Sequence, residues 1–343
     1  MARGVEVDAV LVVSFGGPEG PADVDPFLDN VLRGRPVPPE RRGQVAAHYL
    51  ELGGISPING ANRQLVGALD TALKARGSDL PVYWGNRNWH PYLIDTMHSM
   101  RDDGVRHAAA FVTSAYSSYS SCRQYRDNID DARAATAPGA PQVTKLRPFF
   151  NHPGFVEPLA DGLRSGLTGA GPGAPVLMAA HSIPAAQAAT CGYERQLLET
   201  ARLVAERAGA DDWQVVYQSR SGPPTQPWLG PDVNEAIEAL PVGERRAVVV
   251  TPIGFVSDHM DVVYDLDRVA AATAARRGLR LVRTPTPGSD PRFVEMVCDL
   301  VEEVRDPATH PPLALGDLGP ISCPCAPGCC PAAAQMRPSP TGS

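Results

Sequence analysis

Three stretches of the chain hold side chains suited to proton or metal chemistry. In Ala179-Ala180-His181-Ser182-Ile183-Pro184 an imidazole stands at the mouth of a buried-strand pattern. When neutral it can accept a proton or bind a metal; a core histidine bonded to backbone would have the same local sequence. In residues 251–267, Ser257 stands where a helix cap belongs, and Asp258, Asp261 and Asp265 follow at i, i+3 and i+7, so three carboxylates share one helix face. Such a face is either solvated or, directly behind a strand end, a ladder leading cations inward. His259, only two residues from Asp261, should point away from that face. Finally, Cys323, Cys325, Cys329 and Cys330 crowd into eight residues, whereas Cys122, Cys191 and Cys298 are scattered. In a cytosolic chain such crowding suggests metal before disulfides, and Cys-x-Cys followed by Cys-Cys is not a zinc-ribbon spacing, although zinc or free thiols stay open. The scattered three read as small buried hydrophobes.

Positioning such groups requires a scaffold, and the apolar pattern supplies one. Short apolar runs predict strands over 9–15, 80–84, 108–113, 143–146, 175–180, 213–218, 246–254 and 279–284. Longer amphipathic stretches predict helices over 61–75, 92–101, 123–135 and 258–277, the last closed by Gly278. The alternation is that of an α/β protein with parallel sheets. The halves also echo each other: Leu11-Val12-Val13-Ser14-Phe15, Val82-Tyr83-Trp84-Gly85 and Ala110-Phe111-Val112-Thr113-Ser114 are mirrored by Leu177-Met178-Ala179-Ala180-His181, Val215-Val216-Tyr217-Gln218 and Val249-Val250-Thr251-Pro252-Ile253. Two similar Rossmann-like lobes would leave a ligand cleft at the C-terminal strand ends. The first lobe is expected over 1–145 and the second, carrying the histidine, over 146–290. A C-terminal helix over 291–305 should pack back on the first lobe, and an irregular Cys-containing tail should fill 306–343.

Composition narrows the function further. A chain of 343 residues favours two domains with ample cores. Lys plus Arg is 31 against 38 Asp plus Glu, a net −7 that argues against nucleic acid or an anionic membrane as the main partner. Neither G-x-G-x-x-G nor a P-loop is present. No apolar run reaches the ~18 residues of a membrane helix, and the first residues lack signal-peptide anatomy, so a cytoplasmic protein without stable membrane insertion is expected.

Six blocks in order then make the chain resemble the ferrochelatases, which insert ferrous iron into a porphyrin. They are Ser14-Phe15-Gly16-Gly17-Pro18, Gly53-Gly54-Ile55-Ser56-Pro57, the serine/tyrosine segment 116–125, His181-Ser182-Ile183-Pro184, Pro227-Trp228-Leu229-Gly230-Pro231-Asp232 and Gly254-Phe255-Val256-Ser257-Asp258-His259. The resemblance implies the chelatase fold, with porphyrin and ferrous iron as substrates and transient contacts with neighbouring haem-pathway enzymes. It implies that His181 is the catalytic histidine and contacts iron, that Asp261 occupies the place of the usual catalytic glutamate, and that Asp265 lies on an acidic route for protons or metal. Asp261 is one methylene shorter than that glutamate, which draws its carboxylate back by ~1–1.5 Å. Phe15 replaces a tyrosine that ligates the porphyrin iron in some bacterial members. The tail cysteines look like those of members with a 2Fe-2S cluster. Such relatives also take one ligand from near 155–161, where this chain has Pro158 and Leu159. Cys323, Cys325 and Cys330, with Cys329 or a scattered cysteine, would then form the set.

Within that family the chain most resembles the coproporphyrin III ferrochelatases of Gram-positive/actinobacterial type. Residues 31–40 lack a long apolar lip, and Arg33, Arg35, Ser56, Arg123 and Tyr125 are candidates to meet the four propionates, the arginines by charge-assisted bonds. Phe15, Pro18, Ile183, Pro184, Trp228 and Phe255 would grip the ring. Alternatives are a protoporphyrin IX ferrochelatase, a cobalt chelatase of an early tetrapyrrole, or a non-catalytic porphyrin or haem carrier.

Overall fold

The run Ala9-Val10-Leu11-Val12-Val13-Ser14 is buried at every position, which a strand tolerates only when both faces of its sheet are covered. The computed structural model, which describes residues 4–34, 37–222, 225–241, 243, 246–323, 325–326 and 328–332, makes it the centre of a parallel sheet. This strand, β1 (Ala9–Ser14), lies between β2 (Val82–Asn86) and β3 (His107–Val112), and β4 (Gln142–Lys145) adds to β3. The second sheet is parallel too: β5 (Val176–His181) lies between β6 (Trp213–Gln218) and β7 (Ala247–Thr251), with β8 (Arg280–Arg283) outside β7. The strand orders, β2-β1-β3-β4 and β6-β5-β7-β8, are the same. The expected α/β class with two similar parallel sheets is therefore the observed one, and each expected strand has its counterpart.

Helices cover both sheets. In the first half they are α1 (Val24–Val31), α2 (Pro39–Glu51), α3 (Ile58–Ala75), α4 (Leu93–Asp102) and α5 (Gln124–Thr136); in the second, α6 (Pro153–Ala170), α7 (Ala185–Ala188), α8 (Tyr193–Ala208), α9 (Val233–Ala239), α10 (Met260–Val262), α11 (Ala271–Arg276) and α12 (Pro291–Arg305). Local sequence explains several starts. Asp232 and Glu235 form a reciprocal capping box at α9, and Asp290 caps α12 just before Pro291. Two helices depart from regular α geometry: π-helical turns occupy Tyr119–Arg123 ahead of α5 and Val263–Ala270 between α10 and α11. Such turns concentrate at functional sites.

One core joins the halves. Val10, Val12 and Phe111 of the first sheet share it with Val176, Met178 and Val249 of the second. Phe111, Phe149, Phe155 and Phe293 stack or meet edge-on at 5.2–6.5 Å between them. Helix α12 packs on both α3 and α6, and Arg76 at the end of α3 binds Asp299 at 2.8 Å. Beyond α12 the chain has no regular element among the described residues, yet it is tied down. The buried Arg147 guanidinium holds Glu303 at 2.7 Å and the Leu313 carbonyl at 2.8 Å, while the Asn151 amide donates to the carbonyls of Leu315 and Gly319. Among the described residues no helix is long and apolar enough to cross a membrane.

Candidate active site

His181 is the last residue of β5, and its position is fixed from both sides. Its ring Nδ1 lies 2.7 Å from the Ser182 carbonyl; a carbonyl only accepts, so Nδ1 carries the proton and Nε2 keeps a free lone pair. Its own carbonyl accepts from the Tyr193 phenol at 2.8 Å. The turn after it is clamped by the 227–232 block: the Ser182 hydroxyl donates to the Leu229 carbonyl at 2.9 Å and the Leu229 amide donates to Ile183 at 3.0 Å. Gly254 lets the β7 loop press against this strand end, because a Cβ there would lie 2.6 Å from the Ala180 Cα.

The acidic side arrives from the β7–α10 connection, with three corrections to the sequence reading. The cap of α10 is His259, whose Nδ1 accepts from the Asp261 amide at 3.2 Å, not Ser257. His259 consequently has extended backbone rather than a helical position, and its ring stays 4.0 Å from the Asp261 carboxylate and packs on Phe255. Burial, the largest cause, lowers its pKa, with the His181 charge adding to the effect. Asp258 lies before the helix and is bound by Arg283 at 2.9 Å and by Thr286, so it does not join the carboxylate face. Asp261 and Asp265 remain.

Asp265 lies in the π-helical turn. Burial raises its carboxyl to about 6, against the lowering effect of a hydrogen bond from Ser219, with Asp261 and His181 also close enough to act on it. Ser219 has φ of 60°, rare for a residue with a side chain, and it spends that strain on binding Asp265. Gln218, the last residue of β6, donates to the Asp261 carbonyl at 3.0 Å. His181 at the end of β5 and Asp261 in α10 are thus near enough to act on the charge of Asp265 in the π turn, although among the described residues no three such side chains gather closely enough to hold a metal ion.

The first half closes over this group. His48 of α2 stacks on Tyr264 at 3.9 Å, and Met260 joins Phe27, Tyr49 and Trp89 in one apolar nest against which Phe15 packs. Arg87, absent from the sequence reading, lies over the rings of Phe15 at 5.6 Å and Tyr125 at 4.6 Å. The remaining candidates divide. Arg33 is exposed and reaches Asn30 at 2.5 Å. Ser56 and Tyr125 are buried, so neither presents a free polar surface to a ligand. Arg123 is committed to Asp127 at 2.7 Å and turned toward the Cys329 carbonyl. Arg35 lies outside the described residues. Of the expected ring-gripping side chains, Phe15, Pro184 and Trp228 are partly exposed, whereas Pro18, Ile183 and Phe255 are core. Sequence reasoning also missed Tyr193, Gln218, Ser219 and His48, none of which carries a motif of its own.

The cysteines form a second locality. Cys298 is buried core, as expected, its thiol pushed up to about 11 by burial. Cys122 is buried too, as expected, whereas Cys191 is partly exposed, and both line one cavity of about 660 Å³ with Cys323, Cys325, Cys329 and Cys330. Pro158, in the stretch 155–161 where the resemblance placed a further ligand, is buried within α6.

Comparison with known proteins gives the family. The ferrochelatase family model aligns with residues 7–305. The "Ferrochelatase" of Rhodopirellula baltica is 52% identical over 327 residues, 94% of this chain and 93% of that protein. The "Coproporphyrin III ferrochelatase" of Streptomyces coelicolor is 50% identical, covering 98% of this chain and 96% of its own. That of Mycolicibacterium vanbaalenii is 49% identical over 88% and 91%. Among solved structures, the cobalt complex of the sirohydrochlorin chelatase SirB from Bacillus subtilis superposes with a TM-score of 0.54 at 12% identity, over 89% of this chain and 97% of that one, a likeness of fold. With a histidine ending the central strand of one of two matching sheets, and with half its residues shared with such relatives along nearly its whole length, the chain belongs to the ferrochelatase family.

Proposed function

We propose that this ferrochelatase inserts ferrous iron into coproporphyrin III. The observation that carries the reading is the polar rim of the first half. Arg42 of α2 bridges Asp25 and Asp29 of α1 at 2.8 and 2.9 Å, which makes the lip ion-paired rather than apolar, and Arg33 is exposed beside it. Arg87 adds a cation over Phe15. Arg42 is itself taken up by two carboxylates, so the cations a tetracarboxylate would gain from are Arg33 and Arg87, whereas a dicarboxylate with vinyl groups gains more from an apolar lip. The names borne by the relatives at about half identity point the same way. Anaerobic insertion with each porphyrin tests it: kcat/KM should be higher with coproporphyrin III, and an equal or higher value with protoporphyrin IX overturns the assignment.

Insertion releases two pyrrole protons as four nitrogens take up Fe²⁺. His181 Nε2, with its lone pair free, accepts the first proton. Asp265, with a carboxyl titrating at about 6, suits onward transfer near neutrality, and Asp261 balances the charge of the incoming iron. Phe15, on the opposite half, supplies an apolar contact to the ring and no ligand to its metal.

The cysteine locality is assigned a 2Fe-2S cluster. Among the described residues no three metal-ligating side chains yet meet at a point. The support is the donor set: soft thiols only, six of which line one cavity. Lys145 and Arg126 lie within electrostatic reach of Cys323 in an otherwise acidic protein.

A further inference from the structure

Tyr116 follows β3 in the first half and is only 1% exposed, yet its phenol reaches the second half, where it donates to the Ile253 carbonyl at 2.8 Å. We infer that Tyr116 is a positioning residue for iron insertion, which sets the end of β5, and hence the His181 imidazole, from the opposite half of the molecule. This rests on the role proposed for His181 above and names a residue on which that role depends.

The sheet leaves the last residues of β5 held unevenly. Toward β6 the ladder runs on to its end, His181 lying opposite Gln218. Toward β7 it stops at Met178 opposite Thr251, so Ala179, Ala180 and His181 meet the turn after β7 instead of a strand. Two contacts from Gly254 replace the ladder there. Its amide donates to the Ala179 carbonyl at 3.0 Å, and its missing Cβ, which would lie 2.6 Å from the Ala180 Cα, lets the two backbones touch. Ile253 is the residue before this glycine and is itself fully buried. Tyr116 therefore bonds the peptide group that joins Ile253 to Gly254, and Gly254 bears on the residue before His181.

Two further observations give the phenol this role. Its ring meets that of Tyr193 edge-on at 5.8 Å, and the Tyr193 phenol holds the His181 carbonyl at 2.8 Å. Neighbouring phenols thus secure the histidine directly and the turn that abuts it. Packing against Phe150 and Phe155 needs only the rings, whereas a buried hydroxyl must be desolvated and recovers that cost through the carbonyl it reaches. The segment that carries Tyr116 is also stiff. The Ser121 hydroxyl donates to the Tyr116 carbonyl at 2.9 Å, Ser118 caps the π-helical turn Tyr119–Arg123, and the Gln196 side chain of α8 binds the amide and hydroxyl of Ser117 at 2.7 and 3.0 Å. The phenol is a fixed point, so losing it frees the 252–254 turn and not the segment behind it.

The test is Tyr116→Phe in the full chain, which keeps the ring and removes the bond. Anaerobic iron insertion, thermal melting and porphyrin fluorescence quenching are measured on one preparation. The kcat should fall about three- to tenfold while porphyrin affinity stays within about twofold of wild type. Placed in His181→Ala, the same substitution should leave the residual rate within about twofold of that parent, because no imidazole remains to be positioned. An unchanged kcat beside a lowered melting temperature makes the bond merely structural and overturns the inference. So does a several-fold loss that persists in His181→Ala, or a loss confined to porphyrin KM. If His181→Ala alone turns over near the wild-type rate, the role of His181 fails, and the inference fails with it.

Discussion

The phenol of Tyr193 donates a 2.8 Å hydrogen bond to the carbonyl of His181, so the residue that ends the central strand of the second sheet is fastened from α8 as well as from its own loop. Tyr193 is a positioning residue in this arrangement. Tyr193→Phe removes one buried bond, worth about 1 kcal/mol, and should lower kcat several-fold while leaving porphyrin KM unchanged. A change confined to KM would argue against that role.

His181→Ala should lower iron insertion by roughly 10²-fold or more while porphyrin affinity, read by fluorescence quenching, stays near wild type. Turnover within a few-fold of wild type would remove His181 from the mechanism.

Asp261→Ala should also cut turnover strongly, by about 10²-fold, because the incoming Fe²⁺ then lacks its charge balance. Asp261→Glu restores the longer arm usual in the family and should keep activity. An inert Asp261→Ala would confine the revision to this residue, since His181 is tested separately.

For Asp265 the sign is set by burial. Its carboxyl moves from 3.8 to about 6, so ionisation costs the folded protein nothing below 3.8 and its full amount, about 3 kcal/mol at most, above 6. Asp265→Asn should therefore raise the melting temperature at pH 7.5 and leave it unchanged near pH 3.5. The same group predicts that kcat/KM rises with pH through about 6 and that this limb is lost in Asp265→Asn.

Arg147 and Glu303 form the most buried ion pair described, with side chains 7% and 8% exposed. Arg147→Ala strands the Glu303 carboxylate and frees the Leu313 carbonyl, so it should cost about 3–5 kcal/mol in chemical denaturation. It should also open the segment after α12 to limited proteolysis.

Much of this was legible in the sequence because parallel strands buried on both faces read as unbroken apolar runs, as at Ala9–Ser14 and Ala247–Thr251. His181 was legible for the same reason, as the first polar residue after such a run. The carboxylate face was read at 3.6 residues per turn, and two local events defeated that period: His259 took the cap, and the chain wound into a π turn over Val263–Ala270. Asp258 was lost to Arg283, a partner on β8 that only the sheet order brings near. Arg87 and Tyr193 act through rings and carbonyls distant in sequence, and no spacing rule announces them. Cys191 read as core because the four tail cysteines that share its cavity come from more than 130 residues away.

The identical strand orders of the two sheets put Ser14 and His181 at equivalent places, each the last residue of its central strand. The first sheet has a small buried hydroxyl there, followed by Phe15 and with the Arg87 amide on its carbonyl; the second has an imidazole, with Asp261 and Asp265 within electrostatic reach. On the proposed reading, the cations that meet the macrocycle and the groups that meet the ion lie on separate halves of the molecule. Substitutions in the first half can retune one specificity while the second remains intact, and a chimera that joins the first half of one relative to the second half of another should inherit its porphyrin from the former and its ion from the latter.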